Sequence, residues 1–175
     1  MPAVVNSRVE EQARATSAGA AVLGWSLPAV DVVVLGTKLT VYYQPDPEVL
    51  QERRALGIAP CTVPFELKRL LECQGGVWTK QPVSLRGAIL ARKTWTAAKD
   101  QISIFAAFGQ QAVVLPKLVA GSDRVWLEAV TSGIGIVGID HGDATVIHPP
   151  DVRSQIARTW IHRLVEEQVL AASQS

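Results

Sequence analysis

Residues 88–139 constrain the fold more tightly than any other part of this chain. A short apolar run, Ala88 to Ala91, ends at Arg92-Lys93. From Thr94 to Phe108 the period becomes helical. Trp95, Ala98, Ile102, Phe105 and Ala106 share one face, while Thr96, Lys99, Asp100 and Ser103 share the other, and Gly109 follows the end. A second apolar run, Ala112 to Leu115, is bounded by Pro116, and Gly133 to Ile139 is apolar and punctuated by glycine. Strands alternating with an amphipathic helix predict an α/β or α+β layer fold.

The flanking sequence adds elements to this frame. Ser7 and Glu10 have the spacing of a capping box, which predicts a helix from about Arg8 to about Ala21, ended by Trp25, Leu27 and Pro28. Val30–Leu35, the turn at Gly36-Thr37 and Leu39–Tyr43 read as a hairpin. Pro45, Pro47, Pro60 and Pro64 break up a loop-rich insertion at about 45–85, with short helices expected at Glu48–Leu56 and Phe65–Cys73. Val125–Val130 and Thr145–Ile147 read as strands. Asp151 is placed to cap a closing helix to about Ala171, with Ile156, Trp160 and Leu164 inward and Arg158 and His162 outward. The 175 residues fit a single domain spanning 1–175.

Composition excludes several classes. A 48% apolar content supplies a core, and 19% charged residues argue against disorder. A net charge of +1 provides no strong field for nucleic acid or an anionic membrane. The basic residues are locally uneven, however. No Asp or Glu lies between Glu72 and Asp100, a stretch that contains Arg86, Arg92, Lys93 and Lys99. Cys61 and Cys73 have no zinc-ligand spacing and read as free thiols of a cytoplasmic protein. No signal peptide opens the chain and no apolar run reaches membrane-spanning length, so no membrane partner is expected. His141 lies in Asp140-His-Gly-Asp143, a hairpin-turn composition. Nucleophile-elbow, phosphate-loop and dinucleotide motifs do not occur.

Leu90-Ala-Arg-Lys93 at a strand end, Lys99-Asp-Gln101 on the following helix and Gln110–Leu115 on the next strand resemble the PD-(D/E)xK nuclease superfamily. Gln101-Ile-Ser-Ile-Phe105 is similar to the Gln-x-x-x-Tyr signature of some members, with Phe replacing Tyr, and Gly133–Asp140 is similar to their late glycine-led strand. The resemblance covers about a third of the chain. It implies a restriction-endonuclease-like fold, a central mixed sheet flanked by helices. It also implies phosphodiester hydrolysis with a divalent metal, usually magnesium, held by two carboxylates while the lysine orients the attacking water. In this register the second carboxylate position is Ala91, which cannot bind metal, and Lys93 and Gln101 remain without it.

Two other sets of acids bear on activity. Pro45-Asp46 with Glu66-Leu-Lys68 restores a literal match, with Glu66 and Lys68 on one face if 62–68 is a strand. The same residues fit the start of a helix, with Leu67, Leu70 and Leu71 as its buried stripe. Asp31 opens a predicted strand, and Tyr43 stands where its partner acid is expected; Asp31 and Glu66 are the candidate metal ligands. Three functions follow. The first is a catalytically weak or inactive nuclease-like domain that binds nucleic acid or a partner protein, with Arg86, Arg92, Lys93 and Lys99 contacting phosphates. The second is an active nuclease using magnesium with Asp46 or Asp31, Glu66 and Lys68. The third is an interaction module, a homo-oligomer included, that meets its partner through the last helix or a strand edge.

Overall fold

A computed structural model describes residues 3–73, 76–152 and 158–175. The chain divides into two compact units, Met1–Ser26 with Gly87–Arg153, and Leu27–Arg86 with Ser154–Ser175. Among the described residues no helix is long and apolar enough to cross a membrane.

The first unit contains α1 (Ala3–Val22), the Gly87–Ala91 part of β3 (Val83–Ala91), α4 (Trp95–Ile102), β4 (Gln110–Pro116), α5 (Lys117–Ala120), α6 (Asp123–Ser132), β5 (Ile134–Asp140) and β6 (Asp143–His148). β3, β4 and β5 run parallel, with Ala91 opposite Val114 and Val114 opposite Val137. β6 pairs antiparallel with β5. This sheet is therefore mixed, and α1, α4, α5 and α6 pack against its strands. The three parallel strands are buried almost throughout, as unbroken apolar runs should be in a covered parallel sheet. α1 approaches closely because Gly19 has no side chain. A Cβ there would lie 2.5 Å from Val114 Cγ2 and 3.2 Å from Ile89 Cδ1.

α4 ends sooner than its periodicity predicts. It stops at Ile102, a 3-10 turn follows over Ser103–Phe105, and Phe105 is fully buried. Gln111, 1% exposed, donates through Nε2 to the Ile102 carbonyl, so a buried amide joins β4 to that helix end.

Val125–Val130 is helical, which corrects the strand expected there. α6 buries Val125 and Ala129, one turn apart, and closes on Gly133 at φ 68°, while Trp126 and Leu127 remain exposed. A short apolar run on both faces has no periodicity to separate strand from helix. The Asp140–Asp143 segment is the expected hairpin turn, with His141 and Gly142 both at positive φ. α1 begins at Ala3, so Ser7 lies within it rather than capping it.

The second unit contains β1 (Ala29–Val34), β2 (Thr37–Pro45), α2 (Pro47–Ala55), α3 (Pro64–Cys73), a 3-10 turn at Gly76–Trp78, the Val83–Arg86 part of β3, and α7 (Trp160–Ser173). β1 and β2 form the expected antiparallel hairpin, but its turn is Leu35-Gly36 rather than Gly36-Thr37, because Thr37 pairs with Val34. α7 packs on β1 and α3, and Leu67, Trp78 and Leu164 form a local core. The closing helix starts at Trp160, after Thr159, which removes Asp151 as its cap. Leu164 is buried as expected, but Trp160 is 39% exposed, and Ile156 lies outside the described residues. The Thr159 amide donates to His162 Nδ1 at 3.2 Å, so His162 takes the place of the Glu or Gln of a capping box.

The hairpin turn stores strain. Leu35 has φ 47° and Gly36 φ 85°, the two positive values of a type I′ turn. Glycine tolerates this; a leucine there sets Cβ against a carbonyl oxygen, at about 1–2 kcal/mol. Leu35 is 59% exposed and contributes little packing in return. Leu35→Asn is therefore expected to stabilise the protein by about 1 kcal/mol in urea unfolding. An unchanged or lower midpoint would contradict that strain.

Candidate functional site

β3, β4 and β5 end together, and their carboxyl ends open into a cleft of about 240 Å³ beside α1. Ala91, Val114, Leu115, Pro116 and Ile139 come from the strand ends, and Glu11, Gln12 and Ala15 from α1. Ligands of open α/β sheets bind at the carboxyl ends of the strands, because loops leave there and the backbone is not covered by the next element. A second cleft shares Glu11, Ala15, Pro116 and Ile139 and continues past Arg14, Asp140 and His141.

Arg92 and Lys93 leave β3 directly into this cleft. The half-buried Arg92 donates from Nε to Gln101 Oε1 at 2.8 Å and from Nη1 to the Ala91 carbonyl at 2.8 Å. Burial pulls its guanidinium below the ordinary arginine value. The Gln101 side chain thus fixes the plane of Arg92, which brings together the strand end and the helix glutamine singled out in the sequence. Lys93 is exposed at the rim.

Lys99 is engaged elsewhere. Its ammonium lies 3.0 Å from Glu128 Oε2, which also accepts from Trp95 Nε1 at 2.9 Å, while Arg124 Nε reaches Oε1 at 2.9 Å. The indole N–H foremost, then Arg124 and Lys99, hold the Glu128 carboxyl down at about 2. Lys99 therefore joins α4 to α6 and has a carboxylate as its neighbour. Sequence periodicity placed Trp95 in the core correctly, but Glu128 had no signal of its own.

The remaining candidates belong to the second unit. Arg86 is exposed and donates to Gln44 Oε1 at 2.5 Å. Asp31, opposite Thr40 in the hairpin, accepts from the Thr40 hydroxyl at 2.7 Å and pairs with Lys38 at 3.1 Å. Asp46 caps α2, accepting from the amides of Glu48 and Val49 at 3.1 Å each. Glu66 and Lys68 lie exposed on α3, and Lys68 Nζ is 3.9 Å from Glu72. The strand that would align Glu66 with Lys68 is not formed, because Leu67 is the buried residue of a helix and its neighbours point to solvent.

Among the described residues, no group of three or more His, Cys, Asp or Glu side chains is placed to hold a metal ion. At the strand end Ala91 offers no oxygen ligand, and Asp46 is committed to a helix cap. The donor set does not fit the magnesium that the nuclease resemblance implies. The cleft instead combines an apolar floor, a fixed guanidinium and an exposed ammonium. No protein-family model matches this chain, and neither does any curated protein or solved structure.

Proposed function

We propose that the protein is a nuclease-like binding module without hydrolytic activity, and that it holds nucleic acid by its phosphates at the carboxyl ends of β3–β5. One observation carries the reading: β3 delivers Ala91, Arg92 and Lys93 to the cleft, with Gln101 fixing Arg92 and with alanine where catalysis needs an acid. The cations that a nuclease site requires are present without the metal ligands. Arg92 keeps its Nη2 for an incoming oxygen, and Lys93 supplies a mobile point charge. Two free thiols, Cys61 and Cys73, fit a reducing cytoplasmic setting.

Binding of labelled DNA and RNA at low salt should weaken on a log–log plot with salt, by about 0.7–0.9 of slope per phosphate contacted. Lys93→Ala should lower that slope by about 1 and weaken all sequences alike. No cleavage is expected with magnesium or manganese. Salt-independent binding, or Lys93→Ala binding as the parent does, would remove the cleft as the site; metal-dependent cleavage would restore the active nuclease.

A further inference from the structure

We infer that the cleft seats one unstacked base of a single-stranded nucleic acid, with the adjoining phosphate on Lys93; this rests on the reading above and specifies its ligand. Three observations converge. First, the floor is apolar, made by Ala15, Ala91, Val114, Leu115, Pro116 and Ile139, which offers nothing to a phosphate and suits the face of a ring. Second, the volume is about 240 Å³, below the roughly 300–1,000 Å³ of pockets that enclose a whole small molecule. A base fills this part of the cleft, and its sugar and phosphate lie at the rim or in the adjoining cleft past Arg14, Asp140 and His141.

Third, the charges at the rim fit that division. Arg92 and Lys93 stand at the β3 end, and Glu11 stands on the α1 wall, where it repels phosphate. The backbone therefore runs past Lys93 rather than past Glu11; Arg14, farther along α1 in the adjoining cleft, is paired with Glu10 at 3.7 Å. Arg92 is already immobilised by Gln101 and the Ala91 carbonyl, so its guanidinium plane can stack on a base without the ordering cost of a free arginine. Stacking on Arg92 and the apolar lining makes no demand on base identity, since every base has a π-face. A base in a duplex is stacked on both sides and paired at its edge, and unstacking costs a few kcal/mol.

The test compares three fluorescent ligands of equal phosphate number on the full chain: an oligothymidylate, a duplex and an abasic deoxyribose-phosphate oligomer. A duplex has the higher charge density, so a purely electrostatic site would favour it. The oligothymidylate is expected to bind about tenfold tighter than either of the others. Ala15→Met, which narrows the cleft, should abolish that preference while abasic binding persists. Gln101→Ala, which frees Arg92 without filling the cleft, should reduce it. Equal binding of all three ligands, lost together in Lys93→Ala, would overturn base insertion and leave the phosphate site standing. No binding of any ligand would overturn both. A single-strand preference unchanged in both Ala15→Met and Gln101→Ala would show that the base sits elsewhere.

Discussion

Replacing Glu167 with alanine is expected to destabilise the protein by about 3–5 kcal/mol, as removal of one member of a buried ion pair does. Glu167 is fully buried on α7 and receives both terminal nitrogens of Arg53 from α2, at 3.0 and 2.6 Å. It also accepts the Cys61 amide at 3.1 Å and lies 3.1 Å from Arg163 Nε. Arg53 and Arg163 are 2% and 7% exposed; the variant strands the Arg53 guanidinium away from water without an acid, while Arg163 keeps Glu166 at 3.2 Å. Trp78 stacks on Arg53 at 4.9 Å but cannot neutralise it. Urea unfolding followed by circular dichroism measures the loss. Arg53→Met combined with Glu167→Leu removes one cation together with its acid and should cost much less than Glu167→Ala alone. A loss below about 1 kcal/mol in Glu167→Ala would mean that water reaches the cluster after all.

Phe105→Ala should cost about 3–5 kcal/mol, here in the first unit. Phe105 is among the largest fully buried side chains and lies 5.5 Å from Phe108 in a tilted ring pair. Deletion opens a cavity beneath the turn that ends α4, the helix carrying Gln101. The functional consequence is secondary and specific. Gln101 loses its fixed position, Arg92 is freed, and nucleic-acid binding should fall even under conditions where the variant remains folded. Phe105→Leu keeps most of the apolar volume and should lose a fraction of both. Full stability in Phe105→Ala would show that the neighbours collapse into the space.

These two sites differ in how far the sequence anticipates them. Phe105 is legible because it repeats at helical spacing with Trp95, Ala98 and Ile102. Glu167 is not, since its partner Arg53 is 114 residues away and nothing local marks either residue as buried. The same contrast runs through the fold. The β1–β2 hairpin, β4, β5 and the turn at His141 follow from β-branched runs and turn residues. α6 has the local pattern of a strand because Trp126 and Leu127 are apolar and exposed, and α7 starts late because the capping role falls to Thr159 and His162 rather than to Asp151.

Local pattern by itself determined the strand–helix–strand order of residues 88–116 and the presence of Arg92, Lys93 and Gln101 on it, together with the missing acid at Ala91. Periodicity and residue type are short-range properties, and a single stretch of chain contains all of them. Only the tertiary structure decided that Gln101 holds Arg92, that Glu128 engages Lys99, and that α1 brings Glu11 and Ala15 to the strand ends. Those outcomes depend on distances between elements, which are set by packing such as the close approach at Gly19, and packing joins residues that the sequence keeps far apart.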